Sequence, residues 1–184
     1  TNDVKRAQVM HQLLTTALKI ANKTTNTLVG WRLRHHLQFN PDWGWGSSST
    51  LIYNLASWLG IDPFQLSTAT LGGSNYDVAC AGASSPVYYR LMNGKPVVES
   101  VAFAPAFADH LYFGFLGQKQ DRRQAVAKVS HRDKPSPALI EHISQLTEQL
   151  AVCGDLSSFQ QLMVEHEAEV SRFIGLEPVQ KRLF

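Results

Sequence analysis

The sequence predicts an α+β fold, and three observations carry that expectation. Residues 29–39 alternate apolar and polar side chains with a period of two, as a half-buried strand does. An Asn-Gly-Lys turn at Asn93–Lys95 separates two short runs rich in Val and Tyr, which reads as a β-hairpin. Most of the remaining chain places its apolar residues at helical spacing.

Taken in order, Asp3 is placed to cap a first helix whose Met10, Leu13, Leu14, Ala17, Leu18 and Ala21 share one face. The polar run Asn22–Thr27 ends it. In the strand that follows, Val29, Trp31, Leu33, His35, Leu37 and Phe39 occupy one side, and Gly30, Arg32, Arg34, His36 and Gln38 the other. A glycine loop comes next. Then a helix buries Leu51, Ile52, Leu55, Ala56 and Leu59 and stops at Gly60. Asp62 and Pro63 open a short helix that Gly72 and Gly73 close. Strands are expected at Val87–Leu91, Val97–Phe103 and His110–Leu116, and helices at Gln120–Val129, Pro137–Val152 and Ser157–Ile174.

Composition narrows the function classes. Of the 184 residues, 44% are hydrophobic and 17% charged, values of a globular chain. A net charge of +2, with scattered basic residues, argues against a nucleic-acid partner. No apolar run is long enough for a membrane span, and no signal-peptide core is present. Cys80 and Cys153 cannot form a disulfide framework and read as reduced thiols in a cytoplasmic protein, Cys80 buried between alanines. The chain opens without Met, directly in a helix pattern, and so reads as part of something larger.

Two stretches carry chemistry. Gly44 and Gly46 precede four consecutive hydroxyl residues, Ser47 to Thr50, at the mouth of a helix. An ordinary N-cap needs one hydroxyl; glycines plus several hydroxyls at a helix N-terminus also suit a bound phosphate. The loop lacks the Lys of a Walker motif, the third Gly of a dinucleotide fingerprint and the spacing of a nucleophile elbow. In the second stretch, "LGGSNYDVACAG", Asp77 stands among small residues that let a ligand approach the backbone. Its carboxylate reads either as a general base for a substrate hydroxyl or as a cap of the next helix.

In order and form these stretches resemble the GHMP kinase family, which includes galactokinase, homoserine kinase, mevalonate kinase and phosphomevalonate kinase. The family's second motif is Pro-x-x-x-Gly-Leu-Gly-Ser-Ser-Ala; Pro41, Gly44, Gly46, Ser47 and Ser48 match it, with Pro41 one residue nearer the glycines, Trp45 for Leu and Ser49 for Ala. "GGSNYDVACAGASS" is similar to the Gly-Ser-Gly-Phe-Asp-Val-Ala-Ala-Ala stretch of phosphomevalonate kinases. It also follows the Gly-Tyr-Asp-Ile-Ala signature of a bacterial branch, with Asn75 in place of Gly.

The resemblance spans residues 29–129 and implies a two-domain GHMP architecture, an antiparallel or mixed sheet with helices, incomplete at both ends. Residues 1–104 would belong to the ATP-binding domain, and 105–184 would begin a mostly helical part of the C-terminal domain. It further implies that Gly44, Trp45, Gly46, Ser47, Ser48 and Ser49 line the ATP site, with Ser48 a Mg2+ ligand and Asp77 the catalytic base. Ser74, Tyr76 and Lys119 are the implied substrate contacts. The expected activity, of the intact protein and not of these 184 residues by themselves, is transfer of the ATP γ-phosphoryl group to a hydroxyl or phosphate of a mevalonate- or phosphomevalonate-like metabolite. This small molecule is the only partner class expected.

The family's additional metal-binding Glu has no counterpart between Pro63 and Tyr76, and neither its first motif nor its glycine-rich third motif is found. The missing Glu and Asn75 in place of Gly speak for the alternative, a non-catalytic nucleotide- or metabolite-binding protein on the same fold. Elsewhere, "HEAEV" at His166–Val170 lacks the second His of a zinc protease. Trp43 and Trp45 suit either core anchoring or stacking on an adenine.

Overall fold

The structure, a computed structural model, describes residues 2–115, 117, 134–175 and 177. The chain divides into two compact units, Thr1–Val101 and Ala102–Phe184. Among the described residues there are six α-helices and one two-stranded antiparallel sheet, an α+β composition.

The first unit is built on α1 (Asn2–Ile20), α2 (Ser47–Leu59), α3 (Pro63–Thr70) and α4 (Tyr76–Gly82). Helix α1 includes residue 3 in its backbone, so Asp3 lies inside the first turn rather than at the cap position. The periodic apolar residues form the core: Leu13, Ala17 and Leu18 from α1 meet Ile52, Leu55, Ala56 and Leu59 from α2, Leu66 from α3 and Val78 from α4. Helix α2 ends as its glycine requires, with Gly60 left-handed and the Ile61 amide reaching back to the Ala56 carbonyl. Asp62 then caps α3, accepting from the Phe64 amide at 2.8 Å with Pro63 in the first turn.

Strands β1 (Val87–Met92) and β2 (Lys95–Ser100) form the expected hairpin, in register from Val87 opposite Ser100 to Met92 opposite Lys95. Asn93 and Gly94 both take positive φ, 52° and 75°, the twist a two-residue type I′ turn needs. Arg90 and Glu99 pair across the hairpin at 2.6 Å, but both are exposed, and such a pair adds little.

Helix α4 packs so closely on α2 that a Cβ at Gly82 would lie 2.2 Å from the Tyr53 ring. Gly82→Ala is therefore expected to destabilise the unit by about 1–3 kcal/mol, because over-packing outweighs the smaller gain in helix propensity at a terminal position. Thermal melts check this. The same change in a Tyr53→Ala background should cost much less, and equal costs in both backgrounds would remove the clash as the cause.

Two expected strands do not form. Residues 29–39 are not a strand: Thr25–Leu28 make a 3₁₀ turn, the Val29 and Trp31 amides bond back into it, and Gly30 takes φ 82°. Period-two alternation specifies two faces but not a hydrogen-bonding neighbour, and among the described residues none lies beside this segment. His110 closes a 3₁₀ turn (Ala108–His110), and 111–115 continue without a ladder. The helix expected at Gln120–Val129 lies outside the described residues.

In the second unit α5 (Pro137–Val152) and α6 (Leu156–Ile174) pack together and are joined by 153–155. Phe103 and Phe107 pack on Phe159 of α6, at centroid distances of 5.9 and 5.1 Å. Ser136 caps α5 through the Leu139 amide at 3.2 Å, and Asp155 caps α6 through the Ser158 amide at 2.9 Å. That amide bond, followed by the Ser158 side chain, holds the Asp155 carboxyl below the ordinary aspartate range. A depressed folded pKa stabilises above the unfolded value, about 3.9, and the contribution disappears as pH falls through the folded one. Asp155→Asn, which keeps an acceptor but cannot titrate, should flatten this part of the acid limb in helix melts followed by circular dichroism. An unchanged limb would contradict the cap's role.

Candidate functional site

The glycine loop is shaped by its backbone. Asn40 accepts from the Asp42 amide at 2.9 Å and starts a short 3₁₀ turn, Pro41–Trp43. Gly44 (φ 79°) and Gly46 (φ 74°) are both left-handed, conformations that side chains other than Gly and Asn enter only at a cost. Right-handed and left-handed neighbours in succession turn their amides inward, a concavity suited to anions. Gly46 is also the N-cap of α2 and brings no side chain to it. The amides of Ser47, Ser48 and Ser49 therefore have no acceptor within the helix, and the dipole of a 13-residue helix favours negative charge there.

The four hydroxyls have separate tasks. Thr50 bonds back to the Gly46 carbonyl at 3.0 Å and tightens the first turn. Ser49 is 94% buried and turns inward, whereas Ser48 is exposed. Trp45 packs on both Phe39 and Trp43, at 5.7 and 4.9 Å, and about two-fifths of each tryptophan remains exposed. The aromatics thus brace the loop and still present ring surface beside it.

Asp77 sits in the first turn of α4, half-buried. Asn75 forms the N-cap with φ 65°, which explains its place where the resembled signature has Gly: both residues tolerate the left-handed region. Its amide group donates to Thr68 Oγ1 on α3 at 3.0 Å, and Tyr89 of β1 donates its hydroxyl to the Ser74 carbonyl. Burial raises the Tyr89 pKa, so the hydroxyl remains a donor. The turn before Asp77 is held from the helix on one side and the hairpin on the other. Thr68 and Tyr89 were not singled out in the sequence; the period-two run of β1 locates Tyr89 on a face but not its partner.

The two stretches meet. Ser49 Oγ donates to Asp77 Oδ2 at 3.5 Å, a long contact across 28 positions of sequence, made possible by the packing of α2 on α4. Asp77 is thereby beside the N-terminus of α2 and in the first turn of α4, two places that favour a carboxylate. The structure joins the start of α2 to Asp77 through Ser49, while Gly44, Gly46, Ser47 and Ser48 share the loop and first turn from which Ser49 projects. Ser74 and the half-exposed Tyr76 adjoin Asp77 in the chain, while Lys119 lies outside the described residues.

No group of three His, Cys, Asp or Glu side chains able to hold a metal occurs among the described residues. A hard cation needs oxygen donors, and Mg2+ is commonly bound by one or two protein oxygens plus phosphates and water. The Ser48 hydroxyl, exposed in the first turn of α2, is an oxygen of that kind. Cys80 is exposed, not buried as expected: α4 turns Val78 and Ala79 to the core, and the residue after them faces outward. No helix among the described residues is long and apolar enough to cross a membrane. Comparison with protein-family models, curated proteins and solved structures gave no match.

Proposed function

We propose that the protein is a GHMP-type small-molecule kinase that transfers the γ-phosphoryl group of ATP to a hydroxyl or phosphate of a mevalonate- or phosphomevalonate-like metabolite. The observation that carries this reading is the Ser49–Asp77 contact, which unites an anion-binding loop with a candidate base. The amides from Gly44 to Ser48 receive the ATP phosphates, and the α2 dipole stabilises their charge. Asp77 accepts the proton of the attacking hydroxyl as phosphoryl transfer proceeds in line. Mg2+, when bound, would neutralise charge on the phosphates, with the Ser48 hydroxyl as its protein oxygen. The fixed turn around Asn75 keeps the base in place, so catalysis is mainly positioning and electrostatics.

Asp77 also has a structural use, as a charge in the first turn of α4 bonded to Ser49, and this favours a second reading: a nucleotide- or metabolite-binding protein without turnover. A transfer assay with γ-labelled ATP over sugars, homoserine, mevalonate and phosphomevalonate distinguishes the two. Label transfer to an acceptor supports the kinase. Tight ATP binding with no transfer to any of them supports the binding protein.

A further inference from the structure

We propose that residues 31–37 form an edge for strand addition, which accepts an extended peptide carrying carboxylates at alternate positions. The segment has the sequence of a strand without a strand's neighbour. Its residues form no turn, bend or bridge, and no backbone hydrogen bond joins residues 32–38 to any other described residue. Unpaired N–H and C=O groups in an exposed stretch free of turns and bends, once extended, are a template for another chain.

The stretch is held ready. At one end the Trp31 amide bonds to the Leu28 carbonyl, and the Trp31 ring meets Trp58 of α2 edge-on at 5.9 Å. At the other end Phe39 packs on Trp45. Anchors at both ends lower the ordering cost of pairing. Val29, Trp31 and Leu33 remain 78%, 63% and 45% exposed, apolar surface that an added strand's side chains can cover.

Charge selects the occupant. In an extended chain Arg32, Arg34 and His36 share one face. Among the described residues no carboxylate pairs with either arginine. A second copy of this stretch would set basic residues against basic residues, a destabilising cross-strand arrangement. A strand with Glu or Asp at every second position and β-branched residues between them offers opposite charge on one face and apolar contact on the other. Single-stranded nucleic acid fits less well, since it needs aromatic rings and basic groups along one groove, whereas alternation puts Trp31 and the arginines on opposite faces.

The test is amide hydrogen exchange and binding on the whole protein with three ten-residue probes: an alternating Val/Glu peptide, its Val/Lys counterpart, and a Glu-matched peptide whose alternation is scrambled. The Val/Glu peptide should protect the amides of 32–38 and bind at least tenfold tighter than either control. In the double variant Arg32→Glu, Arg34→Glu the preference should reverse toward the Val/Lys peptide; both positions are exposed, so the fold is expected to persist and circular dichroism verifies it. Absence of protection at saturating peptide, or an unreversed preference, would overturn the proposal. So would protection of 32–38 that grows with protein concentration alone, or displacement of the Val/Glu peptide by oligo-dT.

Discussion

Asp77→Asn is expected to lower the rate of phosphoryl transfer by about 10²–10⁴, the range of a general-base contribution, while ATP affinity stays within a few-fold of the parent. The substitution keeps size and an acceptor for the Ser49 hydroxyl, so the bond between α2 and α4 survives. The charge removed from the first turn of α4 costs about 0.3–1 kcal/mol, too little to unfold the unit. Turnover and affinity therefore separate, and single-turnover kinetics with a parallel ATP titration measure both. Unchanged turnover would reduce the carboxylate to a helix charge.

Gly46→Val should raise the Kd for MgATP by about 10²-fold or more, since two lost charge-assisted amide contacts are together worth about 3–6 kcal/mol. The cause is conformational rather than steric. A Cβ at Gly46 finds nothing nearer than 3.9 Å, but φ 74° is a backbone region that a β-branched residue does not enter without strain. The loop has to rearrange, and the amides from Gly46 to Ser48 lose their common direction. Gly46→Asn is the control: Asn tolerates the left-handed region and should retain most of the affinity. Calorimetric titration of both variants checks this, and a Val variant that binds as the parent does would remove the loop from the site.

Local signals were legible where one segment is sufficient to encode them. The apolar spacing of α2, with Gly60 as its stop, and the Asn93–Gly94 turn between β1 and β2 each specify their own geometry. Asp62–Pro63 likewise marks the start of α3. The segment 29–39 shows the limit of such signals. Its alternation is as clean as a strand's, yet a strand exists only with a partner, and the partner is a property of the rest of the molecule.

The candidate site divides in the same way. Gly44, Gly46 and the hydroxyl run mark a glycine loop at a helix start, and Asp77 stands out among small residues. Their meeting was not legible, because it depends on α4 lying against α2 closely enough that only Gly fits opposite Tyr53. Nor was the role of Asn75 readable from its identity alone. The positive φ and the bond to Thr68 give it a geometric reason, and they account for a departure from the resembled motif that first spoke against catalysis.

The central claim is that the Gly44–Ser48 loop and Asp77 are one phosphate-handling site. Backbone amide NMR during titration of the protein with MgATP tests it most directly. The claim predicts saturable shifts that are largest at Gly46, Ser47 and Ser48, with a companion shift at Asp77 on the same isotherm. Saturable binding whose shifts avoid both the loop and Asp77, or the absence of any binding at millimolar MgATP, would contradict it.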